Sequence, residues 1–262
     1  MLSVFRRHHC FGDSFDSHLA RLDEVLGRIK SAGLKVAPQK CQLLKDKVQF
    51  LGHVVSRDGI STDPQKVEAI ADWPQPKTVS EVRSFVGLAS YYRRFVSGFA
   101  EKARPLHRLT ESKCPFIWSD ECQDAFCQLK VALTSTPILG YPKSCGQYTL
   151  DTDASNSALG AVLPQQQDGV ERVIGYFSKA FTKPERNYCV TRRELLAIVS
   201  SLKHFHHYLY GSHIIVRTDH GALRWLLSFK KPESQMARWL EVIGTYDLEI
   251  QHRAGRVAMH AR

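Results

Sequence analysis

From Gln147 onward the sequence stops reading as helix and begins to alternate, and this change of period limits the fold more than any other feature. QYTLDTD (147–153) places apolar and polar side chains on opposite faces, as a half-buried strand does. Ser157–Leu163 and Val170–Ser178 repeat the pattern on either side of a polar QQQDG turn. Residues 185–209 then return to helical period, with Leu195, Leu196, Ile198, Val199, Leu202 and Phe205 as the inward stripe. A β-branched strand over Ile214–Asp219, a short helix over Gly221–Leu227, a helix over 234–244 and a strand over Tyr246–Gln251 complete the segment. Three strands, a helix, a strand, helices and a strand make a mixed α/β domain of roughly 115 residues, with a five-stranded sheet and flanking helices.

The preceding residues are mostly helical. SFDSHLARLDEVLGRIKSA (14–32) carries Leu19, Leu22, Val25, Leu26 and Ile29 on one face and stops at Gly33. Strand-like runs at Lys47–Val55 and near Ile60 are joined by Arg57-Asp58-Gly59, an Asp-Gly turn signal. Helical patterns at 64–72 and 78–96 are separated by Trp73-Pro74-Gln75-Pro76, whose prolines break the period. A further helix over 119–134 takes Ser119 as N-cap, and Pro137 and Pro142 bracket a linker.

Composition narrows the function classes. No apolar run approaches the roughly 18 residues that span a bilayer, so no membrane role is expected. Seven cysteines without a CxxC pair favour free thiols in a reducing compartment, cytoplasm or nucleus, over a disulfide framework. The net charge of +10 permits a polyanionic partner. Residues 1–112 hold 18 basic and 12 acidic side chains, so the excess is shared by both halves and is not confined to a tail.

Three acids stand out by position. Asp153 lies near the C-terminal end of the first strand, Glu194 near the start of the long helix and Asp219 at the end of the IIV strand. Reactive groups collect at strand C-termini in open α/β sheets. Three carboxylates gathered from separate elements repel unless cations neutralise them, and hard oxygen ligands select Mg²⁺ or Mn²⁺. Two such ions roughly 3.5–4 Å apart activate water and stabilise the leaving oxygen of a phosphodiester. Taken one at a time, each acid reads equally as a cap, turn or surface residue.

LDTDASNSALGAVLPQ, GYFSKAFTKPERNYCVTRRELLAIVSSLKHFHHYLYG and VRTDHGALRWLL, in this order, closely resemble the ribonuclease H domain of gypsy-type LTR-retrotransposon reverse transcriptases. FLGHVVSRDGISTDPQKVEAIADWPQPKTVSEVRSFVGLASYYRRFVSGFA resembles the end of the palm and the thumb of the same polyproteins. The resemblance implies a ribonuclease H-like domain over 146–262, a connecting helix and linker over 113–145, and a palm-end and thumb-like domain over 13–112. It implies an endonuclease that cleaves the RNA strand of RNA–DNA hybrids with Mg²⁺ (or Mn²⁺), with Asp153, Glu194 and Asp219 as the catalytic and metal-binding acids. Phe50, Leu51, Gly52 and His53 match the hairpin that grips the primer strand. Tyr92, Arg93 and Arg94, with Tyr91, fall in the thumb-like helix, where the arginines are expected to face phosphates.

Two positions depart from the family. Phe5-Arg6-Arg7-His8-His9-Cys10 stands where a polymerase carries its Y-x-D-D strand, so residues 1–12 read as a degenerate, disordered basic segment and no polymerase activity is expected. Ala258 and Arg262 stand where the family's G-K-x-N-x-x-A-D motif has its Asn and its fourth catalytic Asp, so the nuclease domain reads as truncated and its activity as reduced. A second reading follows from the same departures: a retroelement remnant that binds nucleic acid without cleaving it, or one with no selected function.

Overall fold

In the computed structural model, described for Cys10, Gly12 and residues 14–112, 114–221 and 234–253, the chain divides into two compact units, Met1–Asp46 and Lys47–Arg262. The first holds helix α1 (Phe15–Ser31), begun by a reciprocal capping box. The Ser14 hydroxyl accepts from the Ser17 N–H, and the Ser17 hydroxyl accepts from the Ser14 N–H. Its apolar stripe includes no buried residue.

The second unit opens with an antiparallel meander, β1 (Lys47–Phe50), β2 (His53–Ser56) and β3 (Gly59–Thr62). The single strand expected over 47–55 is therefore a hairpin. Leu51 and Gly52 both take positive φ, the pattern of a tight two-residue turn whose twist suits paired strands. Helices follow at α2 (Pro64–Ala71), α3 (Val79–Tyr91), α4 (Phe99–Lys102), α5 (Arg104–Leu109) and α6 (Asp120–Thr134). Their starts obey cap chemistry: Asp63, Thr78 and Ser119 each accept a backbone N–H of the first turn. The helix expected to reach residue 96 ends at Tyr91 and passes into a 3₁₀ turn over Arg93–Phe95.

The five-stranded sheet runs β6-β5-β4-β7-β8. Its strands are β4 (Tyr148–Ala154), β5 (Ala158–Gln167), β6 (Val170–Ala180), β7 (Ile214–Thr218) and β8 (Leu248–His252). The first three pair antiparallel, whereas β4–β7 and β7–β8 pair parallel. The QQQ run belongs to β5, and the turn is only Asp168-Gly169, both with positive φ. The helical run at 185–209 separates into α7 (Lys183–Arg186), α8 (Val190–His204) and α9 (His206–Leu209); Pro184 opens the first, Cys189 caps the second, and the chain bends at buried Phe205. Helix α10 (Ser234–Gly244) matches expectation. The short helix at 221–227, apart from Gly221, lies outside the described residues.

Helix α8 packs Leu195, Ile198, Val199 and Leu202 against Leu150, Ile174, Ile214 and Val216. The helical segment has its own core around Phe85, Phe95, Phe99 and Leu129, and that core includes Val162 and Tyr176 of the sheet. Residues from both sides of positions 112 and 145 thus share one interior. A two-way backbone pair between Ile60 and Leu139 (2.8 and 2.9 Å) joins the meander to the segment entering the sheet. Among the described residues, no helix is long and apolar enough to cross a membrane.

Gly59 makes that junction possible. Its φ is +140°, and an added Cβ would lie 2.2 Å from the Leu139 carbonyl oxygen. Gly169 also has positive φ (+81°), but a Cβ there meets nothing within 4 Å. Gly59→Ala should therefore cost about 2–4 kcal/mol and Gly169→Ala about 1 kcal/mol by urea denaturation. Equal losses would show that the junction does not need the bare backbone.

Candidate metal centre

The three acids predicted from sequence converge. One carboxylate oxygen from each of Asp153, Glu194 and Asp219 lies within 4.8 Å of the others. Asp153 is the penultimate residue of β4, Asp219 directly follows β7, and Glu194 sits in the second turn of α8. Parallel pairing of β4 with β7 sets the two strand ends side by side, and α8 lies across β4.

Local chemistry explains why β4 stops where it does. The Ser155 hydroxyl accepts from the N–H groups of Ser157 and Ala158 (both 3.1 Å), closing a turn just beyond Asp153. Arg193 fastens that turn to α8 through Ser155 O (3.2 Å) and Asn156 Oδ1 (2.6 Å). On the other flank, the His220 ring and the Thr191 hydroxyl lie 2.9 Å apart, joining the residue after Asp219 to the first turn of α8. His252 Nε2 donates to the Asp219 carbonyl oxygen (3.0 Å), fixing the same peptide from β8. The sequence pattern does not single out Arg193, Thr191 or His252, because nothing local in the sequence shows which loop a polar side chain will reach.

Exposure divides the cluster. Asp153 and Asp219 are exposed, whereas Glu194 is 3% exposed and its Oε2 has no hydrogen-bond partner. Burial pushes the Glu194 carboxyl up to about 8, helped by the charges of Asp219 and Asp153; the Ala154 backbone N–H and Arg193 pull the other way. A buried, orphaned carboxylate oxygen facing two more carboxylates fits a divalent cation, and the donor set is entirely hard oxygen.

The expected nucleic-acid residues are placed unevenly. Leu51 is exposed at the hairpin tip, and Gly52 turns the chain beside it. The Tyr91 hydroxyl donates to the Leu51 carbonyl, and the Tyr92 hydroxyl to Gly52 O at 2.7 Å. His53 is half-buried among Tyr91, Tyr92 and Phe95, while Phe50 ends β1 half-exposed. Tyr92 corrects the sequence reading: it is fully buried, burial raises its phenol to about 12, and it holds the hairpin turn from within. Arg93 is exposed, and its guanidinium donates to the Ser178 carbonyl of β6 and lies over the Phe99 ring. Arg94 is half-exposed over Phe95. The arginines and histidines at 6–9, and Ala258 and Arg262, lie outside the described residues.

Known proteins resemble this chain over most of its length. Residues 118–216 match the family described as the RNase H-like domain found in reverse transcriptase. Over 238 residues the chain is 39% identical to the retrovirus-related Pol polyprotein from transposon 412 of Drosophila melanogaster, covering 91% of this chain and 19% of that one. The chain is similar to one segment of these Pol polyproteins. The Pol polyprotein from transposon gypsy, also of Drosophila melanogaster, is 36% identical over 94% of this chain and 25% of its own. The chain thus spans about a fifth to a quarter of the length of these curated relatives. Two solved structures share its fold at 21% identity. One is foamy viral protease-reverse transcriptase in complex with double-stranded DNA (TM-score 0.80; 95% of this chain, 45% of that one). The other is the same type of enzyme with an RNA/DNA hybrid (TM-score 0.77; 96% and 35%).

A pH dependence follows from the buried acid. Glu194 binds its proton more tightly folded than unfolded, so its contribution to stability is full below about pH 4.5 and is lost as pH rises through about 8. In EDTA, the urea stability of the wild type should fall over that window relative to Glu194→Gln by roughly 3–5 kcal/mol. Parallel pH profiles for the two proteins would contradict the shift.

Proposed function

We propose that this chain is a ribonuclease H-type endonuclease acting on the RNA strand of an RNA–DNA hybrid, with Mg²⁺ or Mn²⁺ held by Asp153, Glu194 and Asp219. The observation that carries the reading is the convergence of the three carboxylates around the unpartnered Oε2 of Glu194. A bound divalent cation supplies Lewis-acid activation of water and charge neutralisation at the scissile phosphodiester. The protein's own groups do the rest. Asp153 and Asp219 present exposed carboxylates at the open edge, where a duplex can approach. Glu194 anchors the cluster from the interior, excluded from water by the Ala154 strand end and α8. Arg193, Thr191, His220 and His252 hold the three supporting segments in register.

The polyanionic partner fits the net charge of +10. The foamy viral structure solved with an RNA/DNA hybrid has the same fold, which supports the choice of substrate. The hairpin of Phe50, Leu51, Gly52 and His53, with Arg94, is assigned to contacts along the duplex away from the metal centre. The competing reading, binding without cleavage, rests on Arg262 in place of a fourth acid.

A labelled RNA–DNA hybrid incubated with Mg²⁺ separates the two. The wild type should cleave the RNA strand, and Asp153→Asn should lower the rate by more than about 100-fold, beyond the range of a supporting residue. Salt-sensitive binding of the hybrid with no cleavage by the wild type would favour the binding-only remnant.

A further inference from the structure

Away from the metal centre, a second concentration of charge has been left without a role. Where the end of α3, α4 and α5 meet the last turn of β6, a cavity of about 220 Å³ is lined by Ser90, Arg93, Phe99, His107 and Lys179. No carboxylate lines it. Arg93 is fixed in place by its bond to Ser178 O and by the Phe99 ring, so its guanidinium is presented with little freedom left to lose. Lys179 gives one N–H to Glu185 at 3.0 Å, and an ammonium has three to give. The Ser90 hydroxyl adds an uncharged donor.

We propose that this cavity is a phosphate site that receives a backbone phosphodiester of the bound nucleic acid. A rigid guanidinium, an ammonium, an imidazole and a hydroxyl around one concavity match a phosphate better than a base, since they offer donors in several directions and two of them are fixed cations. The positive field there is already felt within the protein: burial first and Arg93 second push the His107 imidazole below its ordinary value. An anion in the cavity would offset the like charges of Arg93 and Lys179.

The position in the sheet ties the cavity to the metal centre. Asp153 pairs with Gly160, and Gly160 pairs with Ser178, the residue that holds Arg93. Two strand spacings therefore separate the row's ends, roughly 10 Å. A duplex lying across this row would set one phosphate at the carboxylates and another, a short step along, at the cavity. The choice of backbone phosphate over free phosphate rests on the function proposed above; the cavity's preference for phosphate does not.

Two measurements test this. The His107 ring protons are followed by NMR, with His107→Gln giving their assignment, while inorganic phosphate replaces chloride at constant ionic strength. They should shift saturably in the wild type and not in Lys179→Gln, a substitution at a side chain exposed enough to spare the fold. An unmoved His107 signal in the wild type overturns the phosphate site. Binding of the hybrid is then measured in EDTA across salt concentrations, for two unrelated sequences. Lys179→Gln should lower the slope of log K against log salt by about 1, equally for both sequences. An unchanged slope, with phosphate still shifting His107, overturns the backbone as the source and leaves free phosphate as the ligand. Cleavage by the wild type is scored separately, so its absence counts against the proposed function and not against the cavity.

Discussion

The parallel pairing of β4 with β7 is the constraint on which the rest of the molecule depends. Tyr148 to Asp151 lie beside Ile214 to Arg217, and a fork of two short bonds, Arg217 Nε to Asp151 Oδ1 (2.6 Å) and Nη2 to Oδ2 (2.7 Å), ties the two interior strands. Parallel neighbours require a long crossover. Here the crossover contains β5, β6 and α8, and α8 returns across the sheet carrying Glu194. One pairing thus sets two strand ends and a helix start at a single place. The cost is electrostatic. Two exposed carboxylates and one buried one oppose each other, and the buried one holds its proton until about pH 8. A structure that maintains such a site without cations is loaded against itself, which is the usual condition of a site built for them.

Much of this was legible in the sequence because it is written in period and in caps. Alternation marked the strands, a stripe of Leu195, Ile198, Val199 and Leu202 marked α8, and Ser119 marked the start of α6. The meeting of Asp153, Glu194 and Asp219 was not derivable from spacing. Their separation along the chain is bridged only by sheet topology, and it was the resemblance to a family that joined them. What the sequence hid has a common cause. The Leu51-Gly52 turn holds a leucine at positive φ, a conformation that leucine does not signal. Tyr92 and Arg93 sit in a motif rich in aromatics and bases, and its surface chemistry masked two inward contacts: one hydroxyl to Gly52 O and one guanidinium to Ser178 O.

Those inward contacts change how the helical segment relates to the sheet. Phe85, Phe95, Phe99 and Leu129 share an interior with Val162 and Tyr176, and the Ala100 N–H donates to the Ser178 hydroxyl at 2.9 Å. The row from Asp153 through Gly160 to Ser178 therefore has carboxylates at one end and Arg93 at the other. The sheet that carries the site and the helical segment thus share packing.

A divalent cation bound by the three carboxylates would displace the proton on Glu194. Calorimetric titration of Mn²⁺ at pH 7, in two buffers of different ionisation enthalpy, measures both events together. Saturable binding that releases close to one proton in the wild type, with the release abolished in Glu194→Gln and binding weakened in Asp153→Asn and Asp219→Asn, is the predicted result. Absence of saturable binding, or binding of equal strength in the wild type and both aspartate variants, would contradict it.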